Sequence, residues 1–255
     1  PQTPEHAQAH NERAQPVPQP LPNTGTRTVV LVNPNTNRGT TAMMVELARK
    51  HLTPAGLTVE SHTVRQGPSM IVDPVTLKES AQHVVDVVRR RLADRCPTPV
   101  AAVVIAAIGD PAREQLAAEL DIPVIGIGQA AIVTAAAKGR RFGMATSTPH
   151  LVDSLTELVE RYGASATFTG VRLTPSDPLV LAASAERQYR ELAAAVRVCV
   201  DRDGAEAVII AGGPLSRTAR RLAALGLVEI VEPVPSAATL VIDALHEAAP
   251  QDPPG

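Results

Sequence analysis

The chain has 255 residues, 24 of them Lys or Arg and 26 Asp or Glu, and its formal net charge of −2 excludes a basic nucleic-acid arm or an acidic tail as its main theme. Apolar residues make up 44%, but the only aromatics are Phe142, Phe168, Tyr162 and Tyr189, so the core is expected to rest on Ala, Val, Leu and Ile. Stacking platforms for single-stranded nucleic acid are argued against on the same ground.

The two cysteines, Cys96 and Cys199, frame neither a disulfide scaffold nor a structural metal site, and the cytoplasm is the expected compartment. No apolar run approaches the roughly 20 residues that span a bilayer, and the N-terminus lacks the apolar core of a signal peptide. No membrane partner is expected.

Residues 1–27 hold six prolines among Asn, Gln, His and Thr, too polar to offset their ordering entropy by burial, and are expected to form a flexible leader. From Thr28 on, short β-branched runs alternate with longer Ala- and Leu-rich periodic stretches, the pattern of βα units around a parallel sheet. Strands are expected at Val29–Val32, Leu57–His62, Ala101–Ala107, Val124–Ile127, Arg141–Ala145, Ala166–Leu173, Ala207–Ala211 and Val228–Val231. Several are apolar at consecutive positions, as in strands covered by helices on both faces.

The first expected helix is marked by Met43, Met44, Leu47 and Leu52, and the second, after Lys78, by Val84, Val85, Val88 and Leu92. Others are expected over Pro111–Leu120, Gln129–Lys138, Leu151–Val159, Leu181–Arg197, Thr218–Leu225 and Ser236–Ala249.

Eight strands and eight helices also suit a (β/α)8 barrel, but the chain is short for one and falls into two similar blocks. Each block opens with a strand ending in small polar residues, NPNTN or ATSTP, and carries a late strand ending at glycine, AAIGDP or AGGPLS. The expectation is therefore an α/β protein of two Rossmann-like open parallel-sheet lobes facing a central cleft. Residues 28–138 with 232–249 form the first lobe and 139–231 the second, and 250–255 form a disordered tail.

Ligands of open parallel sheets gather beyond the C-terminal ends of strands, where loops meet helix N-termini. Four segments qualify. Asn33-Pro34-Asn35-Thr36-Asn37-Arg38-Gly39 follows the first strand and reads as an anion cradle or as an Asn-rich turn with an N-cap. Gly109-Asp110-Pro111 follows the third, and N-capping of the next helix is the stronger reading of Asp110.

Thr146-Ser147-Thr148-Pro149-His150 gathers three hydroxyls at a helix start, where His150 is either a base or a solvent-facing first-turn residue. Gly212-Gly213-Pro214-Leu215-Ser216 offers main chain and one hydroxyl. Dinucleotide, phosphate-loop and zinc signatures are missing, so no organic cofactor or metal is expected. His6, His10, His51, His62, His83 and His246 are scattered and carry no assigned chemistry.

Taken as a set, VVLVNPNTN, GPSMI (Gly67–Ile71), VVIAAIGDP (Val103–Pro111), IPVIGIGQAA (Ile122–Ala131), RFGMATST (Arg141–Thr148), GAEAVIIAGGPLS (Gly204–Ser216) and VEPVPSAATL (Val231–Leu240) resemble the aspartate/glutamate racemase superfamily, with hydantoin and allantoin racemases as the nearest branch. The resemblance implies a cofactor-independent enzyme in which one thiol from each lobe serves the two faces of a carbon next to a carbonyl. Those two cysteines match Ala107 and Gly212 here, and Gln129 stands where related sequences often carry Glu.

The resemblance further implies a cradle of Asn33, Asn35 and Thr36 opposite Thr146, Ser147 and Thr148, and a homo-oligomer. Neither a methyl group nor a hydrogen exchanges protons, so the two-thiol racemase mechanism is not expected. The expected function is an isomerase, lyase or cyclase for a small carbonyl or carboxylate metabolite of secondary metabolism. His150, Asp110 and Ser216 would be its replacement acid–base groups, and main-chain NH groups near Gly109 and Gly213 would stabilise an oxyanion. The alternative is a non-catalytic small-anion-binding or regulatory protein.

Overall fold

A computed structural model describes residues 25–94 and 98–248. Most of the expected leader, the expected tail and Cys96 lie outside them. The first sheet holds β1 (Arg27–Asn33), β2 (Leu57–Thr63), β3 (Val100–Ile105) and β4 (Val124–Gly126) in the order β2-β1-β3-β4, all parallel. Between them run α1 (Arg38–Leu52), α2 (Pro74–Ala93) and α3 (Arg113–Glu119), and α4 (Ile127–Ala136) follows β4.

The second sheet repeats the order as β6-β5-β7-β8, again parallel, from β5 (Phe142–Thr146), β6 (Phe168–Leu173), β7 (Ala207–Ile210) and β8 (Glu229–Val231). Its helices are α5 (Val152–Arg161), α6 (Pro178–Ala182), α7 (Ala185–Asp201) and α8 (Ser216–Ala223). The last helix, α9 (Pro233–Glu247), returns to pack on α1 and α4. Two open sheets replace the single closed sheet of a barrel.

Consecutive apolar residues are needed because each central strand serves two cores. Val29 and Leu31 of β1 pack under α1 and α9, while Val30 and Val32 face the α2 side with Val84, Val85 and Val88. In the second lobe Ala207 and Ile209 of β7 join one core and Val208 and Ile210 another. α4 belongs to both lobes: Ile127 and Ala130 lie in the core of the first, Ala131, Ile132 and Ala135 in that of the second.

Three of the differences from the expected helix boundaries have a local cause. α2 starts at Pro74, because Asp73 accepts from the Thr76 amide (2.9 Å) and proline is tolerated in the first turn. The single helix expected over Leu181–Arg197 is two, α6 capped by Asp177 and α7 capped by Ser184. α3 begins only at Arg113, since Asp110 (φ 50°) and Ala112 (φ 64°) are left-handed and hold Pro111 outside the helix.

Candidate functional site

The loops after β1, β3, β5 and β7 converge on one cavity of about 50 Å³ between the lobes. These strands are the central pair of each sheet, where the strand order reverses, so the cavity lies at the topological switch point of both. Its volume holds about four waters at roughly 10–15 Å³ each. The cavity has room for a small ligand.

The first lobe contributes Asn35, Met70, Ile71, Leu77 and Ala106 to Gly109; the second contributes Ser147, Thr148, Leu151, Pro178, Gln188 and Ala211 to Leu215. Ala107 and Gly212 thus face the same cavity from opposite lobes. A side-chain carbon built at Gly212 would meet only the Leu215 side chain of its own loop, at 3.2 and 3.3 Å, so Leu215 would have to shift by a few tenths of an ångström to admit it.

Asn33 organises the first loop without lining the cavity. Fully buried, it donates to Asn35 Oδ1 (2.9 Å), Thr41 Oγ1 (2.9 Å) and the Asn37 carbonyl (3.2 Å), while its own Oδ1 accepts from the Asn35 amide (3.2 Å). Asn37 N also donates to Asn35 Oδ1 (2.9 Å), and Asn37 Oδ1 caps α1 at Thr40 N (3.0 Å). The turn-and-cap reading of NPNTN and the cradle reading therefore apply to different residues, since Asn35 alone reaches the cavity. Thr36 is tied by its amide to the Pro68 carbonyl (3.0 Å) and does not line it.

In the second lobe Thr146 Oγ1 donates to the Ala211 carbonyl (2.7 Å) and lies 3.1 Å from Thr148 Oγ1, so Thr146 ties β5 to the end of β7 beneath the site. Ser147 and Thr148 form the wall itself, as do Gly109 and Gly213.

The three residues read from sequence as replacement acids or bases lie elsewhere. Ser216 is buried and donates to the Gly213 carbonyl (2.7 Å). His150 is exposed on the turn before α5, near Asp73, whose carboxyl is held below the usual range chiefly by the Thr76 amide, with His150 a smaller contributor.

Asp110 is buried and caps a helix, as its stronger reading expected, but the helix is α4 and not the one that follows it in sequence. Its carboxylate accepts from Gly128 N (2.8 Å), Gln129 N (2.6 Å) and Tyr162 Oη (3.2 Å). Burial pushes this carboxyl up to about 7 against the pull of those donors and of Arg113. A side-chain carbon at Gly126 would collide with it, and one at Gly128 would collide with the Ile108 carbonyl and press on Asp110. Gln129 completes the cap, its Oε1 accepting from Gly126 N (3.3 Å).

Cys199 packs in the second lobe's core, where burial pushes its thiol up to about 11, and it does not line the cavity. Among the described residues no three His, Cys, Asp or Glu side chains gather to hold a metal ion, and no helix is long and apolar enough to cross a membrane.

Gln188 is the polar wall residue that sequence reasoning missed. It sits on α7 in register with Leu192, Ala195 and Cys199, all buried. A glutamine within a helix's apolar stripe is the signal that would have found it.

The sequence profile of the family described as Asp/Glu/Hydantoin racemase matches residues 29–241. A hydantoin racemase of Paenarthrobacter aurescens is 25% identical over 209 residues, 82% of this chain and 87% of that protein. Among solved structures, an allantoin racemase from Klebsiella pneumoniae superposes with a TM-score of 0.76 at 24% identity, covering 85% of this chain and 86% of its own. One from Pseudomonas fluorescens gives 0.77 at 22% identity, covering 89% and 100%.

Proposed function

The chain belongs to the Asp/Glu/hydantoin racemase family, and on that premise we propose that it acts on a small carbonyl or carboxylate compound held between the lobes, stabilising an enolate or related oxyanion without a cysteine pair. One observation carries the reading. The described residues that wall the cavity include a side-chain amide from each lobe and hydroxyls from the second but no Cys, His, Asp, Glu, Lys, Arg or Tyr.

Proton removal from carbon needs a base within hydrogen-bond reach of that proton, and no wall residue supplies one. Heterolysis of a bond to a carboxylate needs none at the outset: the leaving group takes no electrons, the pair moves onto a neighbouring carbonyl, and donors aimed at that oxygen hold the charge. Water then returns a proton to carbon. Of isomerase, lyase and cyclase, a lyase of this kind asks least of the side chains present. Apolar walls of Met70, Ile71, Leu77, Leu151 and Leu215 would strip water from the departing carboxylate, and Asn35, Ser147 and Thr148, which line the same cavity, would supply the donors.

The test is to incubate purified protein with β-dicarboxylates, other carbonyl acids and cyclic ureides in deuterated water, following carbon dioxide release, substrate loss and deuterium incorporation. Conversion of at least one carbonyl acid is expected. Complete inertness across the panel overturns the catalytic reading.

The same lack of titratable wall residues favours a second reading, a non-catalytic binder of small anions. Thermal stabilisation by a panel member without turnover would select it, because a ligand that binds only the folded chain raises its apparent stability. The proposal includes a cytoplasmic homo-oligomer, supported by Leu225 and Leu227, exposed beside an apolar groove along α7, and checked by light scattering.

A further inference from the structure

Two side-chain amides reach the cavity, Asn35 from the first lobe and Gln188 from the second, and both are more than nine-tenths buried, at 6% and 7% exposure. An amide carries an acceptor end and a donor end, and which one faces a ligand decides what the ligand must offer. Here both acceptor ends are already occupied by the protein.

Asn35 Oδ1 accepts from Asn33 Nδ2 and from the Asn37 amide, both at 2.9 Å. Gln188 Oε1 accepts from Thr218 Oγ1 at 2.5 Å, between two buried residues. Neither Asn35 Nδ2 nor Gln188 Nε2 has a partner among the described residues, and neither is among the buried polar atoms sealed off without one, which are His51 Nε2, Thr174 Oγ1 and Glu232 Oε2. Both NH2 groups therefore open onto the cavity that their side chains line.

We infer that Gln188, turned by Thr218, is a specificity-determining residue that forms with Asn35 a donor-only clamp across the cleft, selecting compounds rich in carboxylate or carbonyl oxygens over rings that carry N–H groups. The inference rests on the proposed function and names the substrate class of the same site. An N–H placed against either amide would meet another donor, and leaving both unpaired in a buried site disfavours that ligand. Thr218 acts through Gln188 by donating its hydroxyl proton to Oε1, the arrangement that leaves Nε2 toward the cavity.

The experiment measures dissociation constants by calorimetry for two probes, malonate, which carries acceptors only, and hydantoin, whose ring carries N–H groups. It uses the full chain and the variants Gln188→Met and Thr218→Val. The wild type is expected to bind malonate more tightly than hydantoin. Gln188→Met, similar in size but without the amide, should weaken malonate about threefold to tenfold, the loss of one net hydrogen bond.

Thr218→Val should shrink the malonate-to-hydantoin preference, because the released amide can turn its carbonyl inward. A purely structural role for the pair would lower the unfolding temperature and leave that preference unmoved. Unchanged malonate affinity in Gln188→Met, an unchanged preference in Thr218→Val, or a wild type that binds neither probe or prefers hydantoin overturns the clamp. Malonate held through Gln188 but never converted would instead remove the catalytic reading and leave the clamp standing.

Discussion

The two lobes repeat one strand order and differ in how their polar residues are used. In the first, Asn33, Asn35, Asn37 and Thr41 are bound into one network around the start of α1, and a single amide emerges into the cavity. In the second, Ser147 and Thr148 form the wall directly, and Gln188 arrives from α7, where the matching helix of the first lobe, α2, offers the apolar Leu77. Repeated topology fixes where a ligand sits. The side chains at the strand ends decide what can be done to it.

The sharpest way to break this comparison is to give both lobes the same reactive group. The double variant Ala107→Cys, Gly212→Cys is expected to exchange the α-hydrogen of a chiral carbonyl acid or hydantoin, read as deuterium incorporation with loss of optical rotation, while each single variant exchanges at most weakly. Gly212 is extended (φ 162°), so a side chain there meets no left-handed penalty. Exchange by the unsubstituted chain at the rate of the double variant would remove the argument that its walls lack a base.

Gly128→Ala should cost about 3 kcal/mol or more in a urea titration, because the added methyl collides with the Ile108 carbonyl and presses on Asp110. Asn33→Ala strikes the first lobe's network. It should cost about 2 to 4 kcal/mol by the same measurement, since Asn35, Thr41 and the Asn37 carbonyl each lose a partner. Thr146→Ala, in the second lobe, removes one hydrogen bond to Ala211 and should cost about 1 kcal/mol. A cost at Thr146 equal to that at Asn33 would contradict the contrast between a networked lobe and an open one.

A further test lies in the pH dependence of stability. Asp110 titrates near 7 when folded and in the ordinary carboxylate range, about 4, when unfolded. The folded chain therefore keeps a proton that the unfolded chain has released, and this group's contribution is full below about pH 4 and is lost as pH rises through 7. Asp110→Ala should flatten that part of the profile in thermal unfolding followed from pH 4 to 8. A slope unchanged by the substitution would assign it to another group.

The central strands were legible because central parallel strands must be apolar at successive positions, and β1 and β7 write that demand plainly. The break between α6 and α7 was not, since Ala182, Ala183 and Ser184 carry neither proline nor glycine and the cap at Ser184 is a single weak contact of 3.4 Å to the Arg187 amide. Asp110 was legible as a cap but not as the cap of α4, because its partners lie 18 and 19 residues further along the chain. The site's position followed from the strand ends, and Asn35, Ser147, Thr148, Gly109 and Gly213 with it. Gln188 lies among the charges of α7, in step with that helix's buried residues, and its hydrogen-bond partner Thr218 is 30 residues away in sequence.

Because α4 has apolar residues in two cores at once, neither half of the chain is a self-sufficient fragment. A piece cut after Ala136 would carry Ala131, Ile132 and Ala135 bare to water, and the remainder would lack the ceiling over Phe142 and Met144. Evolutionary or laboratory recombination at that seam would have to bring a matching helix along with whichever half it exchanged.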